Sequence, residues 1–146
     1  AWLGCDPHQS VYDVEMFDSP SGEGALYVGV THLHAGKIGN EFLKTRGHYD
    51  QRREQDEAYF GLRGSGLLLL QTESGDARLE RVTPGSVHII LPFTAHRLIN
   101  TADETLSALA VWPSVAGHDY AALAGGFALR VFTSEKNPQG WEVDHG

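Results

Sequence analysis

The chain has one cysteine, no long apolar run and few basic side chains, and each shortage removes a class of protein. Cys5 has no second cysteine to pair with, so an internal disulfide is impossible and nothing calls for an oxidising compartment. The longest purely aliphatic run, Leu67 to Leu70, is far too short to cross a bilayer as a helix. Lys and Arg number 11 against 19 Asp and Glu, a net charge of −8, which leaves no basic stripe to neutralise a nucleic-acid backbone. The expectation is a cytoplasmic protein with no nucleic-acid and no membrane partner. A single phosphate group is a different ligand, because hydroxyls and backbone amides hold one without any net positive surface.

What is present is the composition of an ordinary soluble globule, with 41% hydrophobic and 21% charged residues over 146 positions. That length suits one domain, residues 1–146, with its own apolar core. The first residue is Ala1 rather than methionine, which reads as a processed or excised chain with further residues to its N-terminal side. Apolar residues come in short bursts separated by Gly, Pro, Ser, Asn or Asp, the punctuation of a many-stranded β domain. "ALYVGVTHL", "EAYFGL", "GLLLLQT", "ARLERV", "SVHIIL", "HRLIN", "LSALAVW" and "FALRVF" are the expected strands. Glu73, Ser74, Gly75 and Asp76 make a hairpin turn between two of them. One segment, "HDYAALAGG", reads as a short helix, with Asp119 as its cap and Gly125 or Gly126 at its end. An all-β barrel or sandwich of eight to ten strands is expected.

Metal-capable side chains concentrate in "GHYDQRREQDEAYF", residues 47–60. Residues two apart on an extended strand share a face, so His48 and Asp50 project together. Glu57 follows the charged turn "QRREQD" and returns on the adjacent strand to the same depth. The fourth candidate is His96 in "PGSVHIILPFTAHRLIN", where Pro84-Gly85 opens a strand and Pro92 closes it before the chain re-enters.

At these residues the sequence resembles the cupins, whose two motifs supply His, His and Glu from the first and His from the second. Gly64 follows Glu57, and Asn100 follows His96, at the spacings those motifs expect. Two positions depart: Phe42 replaces the opening glycine of the first motif, and Asp50 replaces its second histidine. In more detail the chain is similar to the cupin-type phosphoglucose isomerases, through "GKIGNEFLKTRGHY", "EAYFGLRGSGLLLLQTESGDA", "PGSVHIILPFTAHRLIN" and "VWPSVAGHDYAALAGGF" in that order. The similarity runs from about Val11 to Phe132.

That resemblance implies an all-β cupin fold, a jelly-roll or double-stranded β-helix barrel with one short helix. It implies a homodimer and an aldose-ketose isomerase that interconverts glucose 6-phosphate and fructose 6-phosphate, a step of glycolysis and gluconeogenesis. His48, Glu57 and His96 match three ligands of one divalent metal ion (Fe, Mn, Ni or Zn), and Asp50 occupies the place of the fourth. Thr31, Thr45 and Gly47 match the phosphate grip, with His118 and Tyr120 completing it. Tyr59 matches a tyrosine of the sugar pocket, and Trp112 stands where the family usually has tyrosine, so a hydroxyl contact is lost.

Several chemical alternatives stay open at this stage. As a ligand, Asp50 would bring with Glu57 two negative charges that offset a divalent ion completely, and would favour Mn, Fe(II) or Mg. Turned away, it would leave two histidines and one carboxylate, the facial pattern of non-haem iron oxygenases. An oxygenase, another sugar isomerase and a non-catalytic metabolite-binding cupin are therefore the rival functions. For the isomerisation itself, Glu57 or Tyr59 is the candidate catalytic proton carrier, and a hydride shift would need neither.

Other histidines carry plainer expectations. His32 and His34 in "THLH" read as strand residues near the pocket, His8 and His145 as solvated terminal residues, and His88 as a strand residue facing opposite to Val87 without a role. "GLRGSG" lacks the lysine and following helix of a phosphate loop and reads as a tight turn.

Overall fold

The computed structural model describes residues 11–47, 55–116 and 126–145. The expected helix and the candidates His48, Asp50, His118 and Tyr120 lie outside the described residues. Twelve strands are formed among the described residues, more than the eight to ten expected. They are β1 (Tyr12–Met16), β2 (Leu26–Leu33), β3 (Lys37–Ile38), β4 (Glu41–Phe42), β5 (Glu57–Arg63), β6 (Gly66–Thr72), β7 (Ala77–Val82), β8 (Val87–Ile90), β9 (Thr94–Ile99), β10 (Leu106–Pro113), β11 (Leu129–Thr133) and β12 (Trp141–His145). They build sheets ordered β1-β2-β10-β5-β8, β12-β11-β4-β3 and β7-β6-β9.

The leucine run explains the layering. Side chains alternate across a strand, so Leu68 and Leu70 of β6 enter one core with Leu33, Ile90, Leu98 and Leu106. Leu67 and Leu69 enter a second core with Phe42, Ile99, Phe127 and Val131. A strand covered on both faces reads as a continuous apolar run instead of an alternating one. The three-stranded sheet is thus the middle layer, and the barrel interior lies between it and the five-stranded sheet.

Turns hold the strands in register. Gly64 joins β5 to β6 at φ +74°, and a Cβ there would sit 2.4 Å from the Thr105 carbonyl oxygen, so both conformation and space demand glycine. Asn100, fully buried, closes the β9–β10 connection. Its Nδ2 donates to the carbonyls of Leu33 (3.0 Å) and Glu104 (2.8 Å), and its Oδ1 accepts from the Ala102 N–H (3.0 Å). An amide with three bonds satisfied carries no net burial penalty.

Glu41 of β4 is a buried carboxylate, and Phe42 after it enters the second core. Lys44 and Arg130 both donate to its carboxylate, the Arg130 Nε–H at 3.2 Å. Burial pushes this carboxyl up, but the hydrogen bonds and charges of Arg130 and Lys44 outweigh it and hold the pKa below the usual carboxylate value. A depressed folded pKa gives stability that is full above the ordinary carboxylate range and is lost as pH falls through the folded value. Glu41→Gln is expected to lower the unfolding free energy by about 2 kcal/mol at neutral pH and to flatten the acid limb, measured by urea unfolding from pH 7 downward.

Candidate active site

Glu57 opens β5 and His96 sits in β9, on two sheets that face each other across the barrel interior. Both side chains are 2% exposed, and His96 Nε2 lies 3.4 Å from Glu57 Oε2. On its other side His96 Nδ1 is 3.4 Å from the Thr94 carbonyl oxygen, which can only accept. The tautomer that serves this contact carries its hydrogen on Nδ1 and turns the Nε2 lone pair toward the Glu57 carboxylate. Two electron-pair donors aimed at one another in a dry interior are the donor chemistry of a divalent cation, and the Nδ1–H to carbonyl contact is the usual support of a ligating imidazole. Among the described residues no third His, Cys, Asp or Glu joins them.

Beside this pair is a cavity of about 100 Å³ lined by Thr31, Thr45, Gly47, Glu57, Tyr59 and Trp112, together with Tyr12, Val14, Gly29 and Ala110. Sequence reasoning had singled out the first six, from β2, the 43–47 segment, β5 and β10, and the fold gathers them into one space. The other four it missed. Tyr12 and Val14 alternate with Asp13 and Glu15 along β1 and so share one face of that strand. Gly29 and Ala110 face each other in the β2–β10 register and lie in one row with Tyr59. Their small size keeps the cavity floor low, and a Cβ on Gly29 would come within 2.9 Å of Met16 Sδ and 3.3 Å of Trp112 Cη2. No local signal in the sequence marks them.

The 43–47 segment runs along the free edge of β9 and delivers Thr45 and Gly47 to the cavity. Thr45 N–H donates to Leu98 O (2.9 Å), Asn100 N–H to Leu43 O (3.0 Å), and Lys44 bridges Ile99. The Leu98 N–H donates to Thr45 Oγ1 (3.0 Å), so the hydroxyl accepts from the strand and keeps its own hydrogen to give to a ligand. Gly47 takes φ +78°, and a Cβ there would sit 2.6 Å from the Phe127 ring and 3.0 Å from the His96 carbonyl oxygen. Tyr59 packs edge-on to His96, with ring centres 5.6 Å apart at 81°.

The remaining histidines among the described residues are accounted for elsewhere, and His8 lies outside them. His32 leaves the opposite side of β2 from Thr31, and His34 lies just past the end of that strand. Glu15 accepts from His32 Nε2–H (2.7 Å), Ser107 lies 2.7 Å from His32 Nδ1, and Asp13 accepts from His34 Nε2–H (3.0 Å). His88 does face opposite to Val87, and it is buried. Its ring is held between Glu80 Oε1 and Ser86 Oγ, each at 2.8 Å, and so ties β8 to β7. His145 ends β12 in an exposed position.

Antiparallel sheets packed face to face around a buried imidazole–carboxylate pair have the cupin fold. The chain superposes on an oxalate decarboxylase from Lactobacillus farciminis with a TM-score of 0.59 at 17% identity, over 81% of this chain and 33% of that one. It also superposes on a Cupin 2 conserved barrel domain protein from Salinispora arenicola with a TM-score of 0.51 at 16% identity, over 72% of this chain and 77% of that one. Within that class, residues 3–145 match the family model for glucose-6-phosphate isomerase (GPI), and the chain belongs to that family. It is 44% identical over 114 residues to the glucose-6-phosphate isomerase of Thermococcus litoralis, covering 78% of this chain and 60% of that protein. The chain therefore spans less than two thirds of the length of that relative.

Gly47→Ala adds a methyl group into the Phe127 ring at a left-handed position, and is expected to lower stability by about 2 kcal/mol. Thermal unfolding checks the loss, and a changed near-ultraviolet dichroism signal reads the displaced aromatic packing.

Proposed function

We propose that the chain interconverts glucose 6-phosphate and fructose 6-phosphate at the barrel cavity. The observation that carries this reading is that Thr31, Thr45, Gly47, Glu57 and Tyr59 line one space next to His96. In it the phosphate is held by the Thr31 and Thr45 hydroxyls and the Gly47 amide, with His118 and Tyr120 as the further groups that the resemblance assigns to the grip. The sugar then extends toward Tyr59 and Glu57. Thr45 is built to donate, because the β9 backbone already occupies its acceptor side.

The pairing of His96 Nε2 with the Glu57 carboxylate fits a divalent metal ion, and His48, Glu57 and His96 would hold it with Asp50 at the fourth place. When bound, such an ion supplies Lewis-acid stabilisation of the negative charge that develops on the sugar oxygens. Glu57 and Tyr59 are the side chains positioned to take or return a proton at C1 or C2. The dry barrel keeps these groups out of competition with bulk water.

The same reading takes residues 1–146 as a single domain of a cytoplasmic homodimer. A second copy is supported by the outer face of the five-stranded sheet. Two rows there, Val30–Leu109–Phe60–Val87 and Val28–Val111–Ala58–Ile89, are apolar across four strands. Phe60, Val87 and Ile89 are 38%, 57% and 49% exposed, and a contiguous apolar face of this kind marks an association surface.

Purified protein loaded in turn with Fe(II), Mn, Ni and Zn is expected to turn over fructose 6-phosphate in a coupled isomerase assay. Thr45→Val should raise its KM about tenfold with kcat little changed, as loss of one hydrogen bond to a dianion implies. Binding without turnover under every metal would mark the chain as a metabolite-binding cupin instead. Asp50→His separates two roles for that residue: activity should fall severalfold if the aspartate is an adapted ligand, and a large gain would show that it had replaced a better one.

A further inference from the structure

Arg97 follows His96 directly, and the alternation along β9 sends its side chain to the opposite face. There the guanidinium carbon lies 4.3 Å from the centre of the Phe127 ring. Burial draws its pKa down to about 10, against the opposing pull of Glu41 and Tyr12, so it stays charged at neutral pH. Its Nε–H is buried with no hydrogen-bond partner among the described residues, an expensive arrangement for an arginine placed only for packing.

The one hydrogen bond it makes among the described residues runs from Nη2 to the carbonyl oxygen of Arg46. That oxygen belongs to the same planar peptide unit as the Gly47 N–H. The unit is trans, so the N–H points away from the guanidinium. Among the described residues the Gly47 N–H goes to no acceptor, while Gly47 itself lines the cavity with Thr31 and Thr45. A cation bound to the oxygen end of a peptide draws electron density toward it and makes the N–H at the other end a stronger donor.

We propose that Arg97 is a positioning residue for the phosphate subsite, acting through the 46–47 peptide to orient and polarise the Gly47 amide toward a phosphate dianion. The proposal rests on the sugar-phosphate reading of the cavity and extends it. It accounts for how a chain of net charge −8 holds a dianion in a cavity whose described lining has no Lys or Arg. The positive charge is set one peptide unit behind the ligand. Phe127 completes the clamp, with its ring stacked on Arg97 and packed against Gly47.

Arg97→Lys keeps charge and a donor, Arg97→Gln keeps a donor without charge, and Arg97→Met keeps neither. KM for fructose 6-phosphate is expected to rise about tenfold in the Met variant, as loss of a charge-assisted bond implies, with Gln intermediate and Lys near the parent. kcat should stay within about threefold throughout, and competitive inhibition by inorganic phosphate should weaken in the same order. In ligand-free protein the Gly47 amide proton resonance should move upfield in the Gln and Met variants and hold its place in the Lys variant. Should the Met variant fail to fold, the Lys and Gln comparison carries the test. Unchanged KM and phosphate inhibition in Gln, or a fall in kcat at constant KM, would overturn the proposal. Parent protein with no affinity for fructose 6-phosphate or inorganic phosphate would instead sink the sugar-phosphate reading, and the Gly47 resonance would still decide whether Arg97 acts on the peptide.

Discussion

Successive side chains of β9 enter two different interiors, and the site depends on that alternation. His96 and Leu98 point into the barrel, toward Glu57 and the first core, while Ala95, Arg97 and Ile99 point into the second. A one-residue slip in register would exchange the two sets and place Arg97 where His96 meets Glu57. Register is therefore defended on both edges: β6 pairs with β9 from Leu67↔Ile99 to Thr72↔Thr94, and residues 43–45 bond the other side. Because the leucines of β6 are committed to both cores, β6 cannot shift to accommodate a displaced β9.

The 43–47 segment has two tasks that reinforce each other. By pairing with β9 it satisfies backbone groups that would otherwise be buried without partners. The same pairing carries the Thr45 hydroxyl and the Gly47 peptide to the cavity wall. The buried Glu41 carboxylate, held by Lys44 and Arg130, secures the start of the segment, and Phe127 packs over its end. In the proposed phosphate subsite such groups are effective because they are rigid before the ligand arrives.

Much of this was legible in the residues. The apolar bursts located the long strands, and "SVHIIL" correctly turned His88 away from Val87. Glu57 and His96, read as converging inside the barrel, do meet there, and "GLRGSG" does turn tightly at Gly64, whereas the closing role of the Asn100 amide appears only in the fold. The short β3 and β4, two residues each, are too brief to leave a periodic trace: they pair with each other, and β4 alone reaches a distant strand, β11. Tyr12, Val14, Gly29 and Ala110 became site residues only through the β1-β2-β10 register. Arg97 was silent for a different reason: a charged residue between two inward-facing neighbours reads as a solvated one, and only the second apolar layer reveals that it is covered.

Placing β6 between two apolar layers also determines how the molecule opens. Its amides are shielded by paired neighbours on both edges and by leucine side chains above and below, so hydrogen exchange there requires both layers to part. β1, on the rim of the five-stranded sheet, is free to fray on its own. Labelling in the middle layer would report the lifetime of the whole molecule, while labelling at β1 would report breathing at the cavity wall where Tyr12 and Val14 stand.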